Sequence, residues 1–253
     1  MTTGPLLARW TDLRRFTPAR IGLGRAGNGL PTAAHLAFQA AHAAARDAVH
    51  ATLDVAALQA ELTQAGIDSL AVRSAAPDRQ TYLRRPDLGR RLLDADRPHL
   101  PAAPGAMLFV VCDGLSAVAV QRHAAALLAC VIPTLRAVAP VAPVVIATQG
   151  RVALGDDIGG TMGAEAVAVL IGERPGLSAA DSLGIYLTWQ PRPGRTDAER
   201  NCISNIRPAG LPVAQAAAKL LWLIEAMRRL RLTGVTLKDD QLAQIPAPDS
   251  VAD

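Results

Sequence analysis

Aromatic side chains are scarce, with three Phe, two Tyr and three Trp in 253 residues. A core must therefore be built from closely packed Ala, Val, Leu and Ile, and a nucleic-acid platform of stacked rings has little to draw on. Lysine is scarcer: Lys219 and Lys238 are the only lysines among 26 basic residues, so arginine carries the net charge of +4. Arginine suits bidentate recognition of phosphate and carboxylate, and its excess has two readings, an anionic partner or GC-rich coding. The three cysteines, Cys112, Cys130 and Cys202, are odd in number, widely spaced and form no CxxC clip. That excludes a disulfide framework and points to a reducing compartment. The amino-terminal segment lacks the apolar run and cleavage site of a signal peptide. The apolar stretch 124–142 is interrupted by Pro133, Arg136 and Pro140, so a membrane-spanning helix is not expected. At 50% hydrophobic residues, disordered and fibrous classes are excluded, and the expectation is a soluble intracellular protein.

Residues 1–31 read as an irregular arm with arginines at 9, 14, 15, 20 and 25. Gly22-x-Gly24-x-x-Gly27 matches the dinucleotide fingerprint as a string, but no hydrophobic strand precedes it to aim a phosphate at a helix N-terminus. An Ala-rich pattern predicts a helix from residue 32 to about 53, and a shorter one over about 55–65 that stops at Gly66. His35, His42 and His50 fall on roughly one face of the first helix. They are either a metal site or solvated and partner-facing histidines, and their spacing lacks the i,i+4 pair of a helical zinc site. The basic segment 82–91 either grips nucleic acid or folds against a partner or the chain's own acidic residues.

From about residue 104 the texture becomes α/β. Met107-Leu108-Phe109-Val110-Val111 is a continuous apolar run of the kind buried on both faces, followed by a turn and a helix over about 117–129. Further strands are predicted at 142–147, 166–171 and 184–190, with a small helix between the first two and a long helix over about 212–232. The alternation predicts a mostly parallel, Rossmann-like sheet with helices on both faces, preceded by an N-terminal helical arm. The division is 1–100 for the arm and helical region and 101–253 for the α/β domain. In such sheets ligands sit beyond the carboxyl ends of the strands, so the loops 112–116, 150–152, 172–176 and 200–205 are the candidate site.

Several residues there have two readings. Asp113 is a general base or hydrogen-bond acceptor for a ligand, or a structural turn aspartate. Ser116 lacks the GxSxG elbow of a nucleophile and is better placed as a helix cap. Glu173 either binds ligand N–H and O–H groups or pairs with Arg174. Cys202 is a nucleophile without a histidine nearby, or a small residue against a ligand or core. From the residues alone, the chain is a soluble α/β domain that binds something anionic or amide-rich, with an Arg-rich module for nucleic acid as one version.

Six strings in order go further: 12–20 (DLRRFTPAR), 24–27 (GRAG), 82–92 (YLRRPDLGRRL), 113–116 (DGLS), 172–177 (GERPGL) and 200–206 (RNCISNI). Together they resemble the ethanolamine ammonia-lyase small (light) subunit family from about residue 12 to 238. The resemblance implies a share in an adenosylcobalamin (coenzyme B12)-dependent radical lyase that converts ethanolamine to acetaldehyde and ammonia. It implies a TIM-barrel large subunit that carries the substrate pocket, a small subunit that closes over the cofactor, and no activity without the large subunit. The family's cobalamin contacts carry over to Val152, Glu173 and Cys202, with no catalytic residue and no metal ligand in this chain. The DxHxxG cobalamin motif is missing, so no protein histidine is expected on cobalt. Neither a nucleic-acid nor a membrane partner is implied, and the expected location is the bacterial cytoplasm, including the interior of a bacterial microcompartment. The first eleven residues do not match clearly.

Overall fold

A computed structural model of the chain describes residues 12–17 and 19–238; the first eleven residues, with Arg9 of the expected arm, lie outside it. Helices α1 (Thr32–His50) and α2 (Val55–Gln64) occupy the two helical segments read from the sequence. Asp54 caps α2 by accepting from the Ala57 N–H at 2.9 Å. Gly66, at φ +70°, ends it in the left-handed region, which a Cβ would disfavour. Two short elements follow, β1 (Ser69–Arg73) and α3 (Arg79–Arg84). The order then runs β2 (Met107–Cys112), α4 (Ala117–Arg136), β3 (Val144–Thr148), α5 (Leu154–Met162), β4 (Ala166–Gly172), β5 (Leu183–Trp189), β6 (Arg200–Ile206) and α6 (Val213–Leu230).

The six strands form one sheet in the order β1-β3-β2-β4-β5-β6. The pairings among β1, β3, β2 and β4 are parallel, whereas β5 runs antiparallel to β4 and β6 antiparallel to β5. The architecture is mixed α/β, and the expected parallel arrangement covers only four of its strands. The reason lies in the connections. A parallel neighbour needs a crossover, usually a helix, and 173–182 and 190–199 contain no α-helix. The strand order also differs from the 3-2-1-4-5-6 order of a dinucleotide fold, and Gly24 and Gly27 take positive φ around a tight Ala26–Gly29 turn rather than a phosphate loop.

Two corrections concern single strands. The segment 200–205, read as a loop, belongs to the edge strand β6, and β1 is an edge strand that the sequence reading passed over. β1 also brings residues from before position 101 into the sheet. Only Val72 is buried in β1, and only Arg200, Ile203 and Ile206 in β6. β1 is only five residues long and β6 carries Arg200, Asn201, Ser204 and Asn205, features that discourage pairing with other chains, and with so few buried positions neither edge has a strand's hydrophobic signature.

The central strands β2 and β4 are buried along their whole length. On one face α2, α4 and α6 bury Leu58, Leu127, Ile132 and Leu220 against Phe109, Val111 and Ile185. On the other α5 buries Leu154 and Ile158 against Val110 and Val169. Helix α5 lies close because it presents Gly155 to the sheet, where any Cβ would run into the Val169 side chain. Helix α4 continues through Pro133 to Arg136. By length and hydropathy it is the one helix among the described residues that would suffice to cross a membrane, yet its buried face forms part of this core. Helix α1 differs: Ala48 is its only buried residue, while Leu36 and Phe38 are 57% and 40% exposed. The His35 ring meets Gln39 at 2.9 Å and His42 stacks on Phe38.

Candidate functional site

The carboxyl ends of β2 and β3 are tied together by a buried polar cluster. Asp113 follows β2 directly, and its carboxylate accepts from the Gly150 N–H at 3.1 Å and lies 3.6 Å from the Arg79 guanidinium. Burial pushes the Asp113 carboxyl above its ordinary range, opposed by the Gln149 and Gly150 amides and by Arg79. Arg79 also donates to the Gly114 and Val49 carbonyls at 2.7 Å each. The guanidinium groups of Arg79 and Arg151 both sit over the buried Tyr82 ring, at 4.7 and 4.2 Å, and the Tyr82 hydroxyl donates to the Gly150 carbonyl at 3.2 Å. Asp113 is thus the structural aspartate of the two readings, and what it positions is the 149–152 loop that carries Val152. Ser116 is a cap: its Oγ accepts from the Ala119 N–H and donates to the Ala180 carbonyl at 2.7 Å.

The second part of the site lies on the sheet face that carries α5. Glu173 leaves the end of β4 half-buried. Its carboxylate accepts from the Ser182 hydroxyl and, at 3.2 Å, from the Asn205 N–H, while its own N–H donates to the Ser182 carbonyl at 2.9 Å. These partners, not Arg174, hold it. The carboxylate lies over Gly184, where a Cβ would come within 3.0 Å of Oε1, so the absent side chain makes its seat. On the neighbouring strands Tyr186 pairs in register with Cys202. The Tyr186 hydroxyl is pushed up to about 12 by burial first and by the neighbouring Cys202 thiol. The exposed Cys202 is itself raised, by desolvation first and by the Glu173 charge as well. A thiol held protonated, without a histidine, is a packing and weak hydrogen-bonding group rather than a nucleophile.

Val152 lines an adjoining cleft of about 840 Å³ on the same face. Its walls are the 86–97 segment and the 193–197 loop, and its floor is the first turn of α5 together with Arg200. The structure therefore gathers Glu173 and Cys202 around Tyr186 and sets Val152 at the edge of a neighbouring depression. Between them lies a buried ion pair. Arg200, with its side chain 2% exposed, grips Asp156 through two hydrogen bonds of 2.8 and 2.6 Å and also donates to Thr188 Oγ1 and the Arg195 carbonyl.

The sequence reading missed Tyr186 and Asp156 as parts of this site, and it included Arg200 in the 200–205 segment without giving it a role. The signals were present in the Asp156-Asp157 pair opening a helix and in an arginine within an otherwise neutral strand. The basic segment 82–91 resolves toward its second reading. Arg85 pairs with Asp87 at 2.7 Å, and Tyr82, the segment's aromatic, is fully buried and so has no face to offer a base.

Comparison with known proteins identifies the relatives of this arrangement. The family model described as ethanolamine ammonia-lyase light chain (EutC) matches residues 8–238. The chain is 57% identical over 242 residues to the ethanolamine ammonia-lyase small subunit of Azotobacter vinelandii, covering 91% of this chain and 88% of that one. It is 55% identical over 247 residues to the small subunit of Ralstonia nicotianae, covering 94% and 90%. With that of Pseudomonas fluorescens Pf-5 it shares 52% over 251 residues, covering 96% and 92%. The likeness thus spans both edge strands, the Glu173 seat and the arginine-lined cleft, and the chain belongs to the ethanolamine ammonia-lyase light-chain family.

Proposed function

We propose that this chain is the small subunit of an adenosylcobalamin-dependent ethanolamine ammonia-lyase and that its α5-side face closes the cofactor site against a large subunit. The observation that carries the reading is the Glu173 carboxylate, half-buried and held by Ser182 and Asn205 beside the exposed Cys202 and Tyr186. Cobalamin presents amides, a ribose and a phosphate. A fixed carboxylate accepts amide N–H or ribose O–H groups, Cys202 and Val152 supply small non-aromatic contact, and the adjoining arginines match the phosphate. The residues present therefore fit this group.

When bound, the cofactor supplies the radical chemistry, and the protein's share is orientation and the exclusion of competing reactions. In this chain Glu173 fixes the orientation of one edge of the ligand, and Asp113, Arg79 and Tyr82 hold the Val152 loop in register with it. Ethanolamine binds on the large subunit, which carries the catalytic groups. The 1–100 region supplies docking surface, supported by the exposed Leu36 and Phe38 of α1, and neither a nucleic acid nor a membrane takes part. The complex resides in the bacterial cytoplasm, including the interior of a microcompartment.

Co-expression with a large subunit tests this reading. The purified complex is expected to carry cobalamin, seen in its ultraviolet–visible spectrum, and to release acetaldehyde and ammonia from ethanolamine, while the chain alone does neither at a comparable rate. Glu173→Ala is expected to lower cobalamin retention by about tenfold, the worth of one charge-assisted hydrogen bond. Full retention by that variant would remove Glu173 from the site, and a complex without cobalamin would sink the reading.

A further inference from the structure

The Glu173 carboxylate receives both of its hydrogen bonds on one oxygen. Oε2 accepts from the Ser182 hydroxyl and, at 3.2 Å, from the Asn205 N–H, while Oε1 has no donor among the described residues and lies over the bare Gly184. Ser182 closes the connection between β4 and β5, and Asn205 is the penultimate residue of β6. Two separate chain segments therefore make the seat, and the carboxylate stays aimed only while their donors keep their spacing.

Asn205 donates from an unusual backbone. Its φ of 59° is left-handed, a region that asparagine tolerates better than most residues but that neighbours must still hold in place. Gly210 packs against it so closely that a Cβ there would lie 2.3 Å from the Asn205 carbonyl oxygen, and the Leu211 N–H donates to that oxygen at 2.8 Å. The side chain is held by Arg207, whose Nε donates to Asn205 Oδ1 at 2.9 Å. The same guanidinium donates through Nη1 to the Ser178 carbonyl, also at 2.9 Å. Three other side chains grip the 173–182 connection, Arg20 at the Leu177 carbonyl, Ser116 at the Ala180 carbonyl and Arg122 at the Asp181 carboxylate. Of these four, only Arg207 also holds the strand end that supplies the second donor to Glu173.

We infer that Arg207 is a positioning residue for Glu173: its guanidinium ties Asn205 to the 173–182 connection, fixes Oε2 between two donors and so leaves Oε1 as the oxygen that accepts from a ligand. A planar fork suits this task, because one rigid group serves two acceptors on different segments. The carboxylate is then oriented before a ligand arrives, and less ordering remains to be done on binding. The inference rests on the cofactor reading above for the identity of the ligand, but not for the geometry of the seat.

Two measurements test it. In the purified full chain, amide hydrogen exchange at Asn205, followed by NMR, reads the N–H that Glu173 holds. Arg207→Ala and Glu173→Ala are each expected to speed that exchange roughly fivefold or more. Arg207 is half-buried and outside both hydrophobic clusters, so little change in melting temperature is expected to accompany the effect. In the complex with a large subunit, cobalamin titration reads the seat itself. Arg207→Ala is expected to weaken binding roughly fivefold in the parent background and to add no further loss in the Glu173→Ala background, whereas a residue that merely stabilised the fold would cost the same factor in both. Asn205→Ala, which removes Oδ1 and disfavours the left-handed turn, is expected to reproduce the Arg207→Ala losses and serves in its place if that variant does not fold.

Unchanged Asn205 exchange in Arg207→Ala overturns the inference, and so does an equal further loss of cobalamin affinity in the Glu173→Ala background; either result leaves the cofactor reading intact. Recovery of both signals by Arg207→Lys would assign the effect to charge rather than to the fork and overturn the clamp. A parent complex that binds no cobalamin, with Asn205 exchange still responding to Arg207→Ala, would refute the cofactor reading alone and leave the positioning role standing.

Discussion

Glu199 shows how a single residue can be tuned without being buried. Thr196 and Glu199 form a reciprocal capping box at the turn before β6, in which the Thr196 N–H donates to Oε2 at 2.8 Å and the Arg195 guanidinium takes the other oxygen. These donors, the Thr196 backbone first, hold the carboxyl down from an ordinary 4.5 to about 2. A carboxyl lowered in the folded state stabilises above its unfolded value, and that contribution is lost as pH falls from about 4.5 through about 2. NMR titration of the side-chain carboxyl is expected to give a midpoint near the lower value, and a midpoint at the ordinary one would show that the box does not persist in solution. Asp113 has the opposite sign. Its raised carboxyl makes the ionised form a cost to folding that grows as pH rises through the unfolded value toward the folded one, and the Gly150 amide and Arg79 offset it. The three readings of sequence residues that structure separated, Asp113 as positioner, Ser116 as cap and Cys202 as protonated thiol, were undecidable before because each depends on partners distant in the chain. Gly150 lies on another strand's loop, Ala180 beyond β4, and Tyr186 on β5.

Among the elements, β6 and α5 are coupled through one buried ion pair. Arg200 sits at the start of β6 and Asp156 in the first turn of α5, with side chains 2% and 1% exposed. Removing one partner strands a buried charge, so Arg200→Ala is expected to cost about 3–5 kcal/mol and to lower the denaturation midpoint in urea accordingly. The double variant Arg200→Met with Asp156→Leu is expected to recover most of it, because well-packed apolar groups often replace a buried pair at little cost. A single variant that unfolds like the parent would show that this pair is not what ties the two elements. Helix α5 also explains why the candidate face is open. It is short, contacts β4 through Gly155, and leaves the outer strands with half-buried Tyr186 and exposed Cys202 on that side, whereas α4 and α6 cover Ile185, Leu187 and Ile203 on the opposite side.

At the level of the whole molecule, two surfaces differ in character. The α5 side carries the Glu173 seat and the arginine cleft, while α1 keeps only Ala48 buried and exposes Leu36 and Phe38. Docking to a large subunit through the 1–100 region is expected to involve Arg84 and Arg85 as well. Both are exposed, and Arg85 is engaged only with the neighbouring Asp87, so charge reversal there should not disturb the core. Arg84→Glu with Arg85→Glu is expected to weaken co-purification with the large subunit while leaving the melting temperature of the isolated chain unchanged. Undiminished complex formation would move the docking surface elsewhere.

Composition and apolar pattern alone determined that the chain has an aliphatic α/β core with the 107–111 run buried on both faces, because such strands must be continuously apolar, whereas the central place of β2 and β4 came from the strand order. They also placed the longer helices and the Gly66 stop, since capping and periodicity are local, but they passed over α3 and ended α4 at about 129, short of Arg136. The six family strings also carried the lineage, as motif order is a property of the chain itself. Only the tertiary structure decided the rest. The edges β1 and β6 have few inward residues and so no signature, the antiparallel turn of the sheet depends on connections that lack a helix, and the arginines of 90, 91, 97, 151, 195 and 200 converge on one cleft only because α5 lies across the sheet between two distant loops.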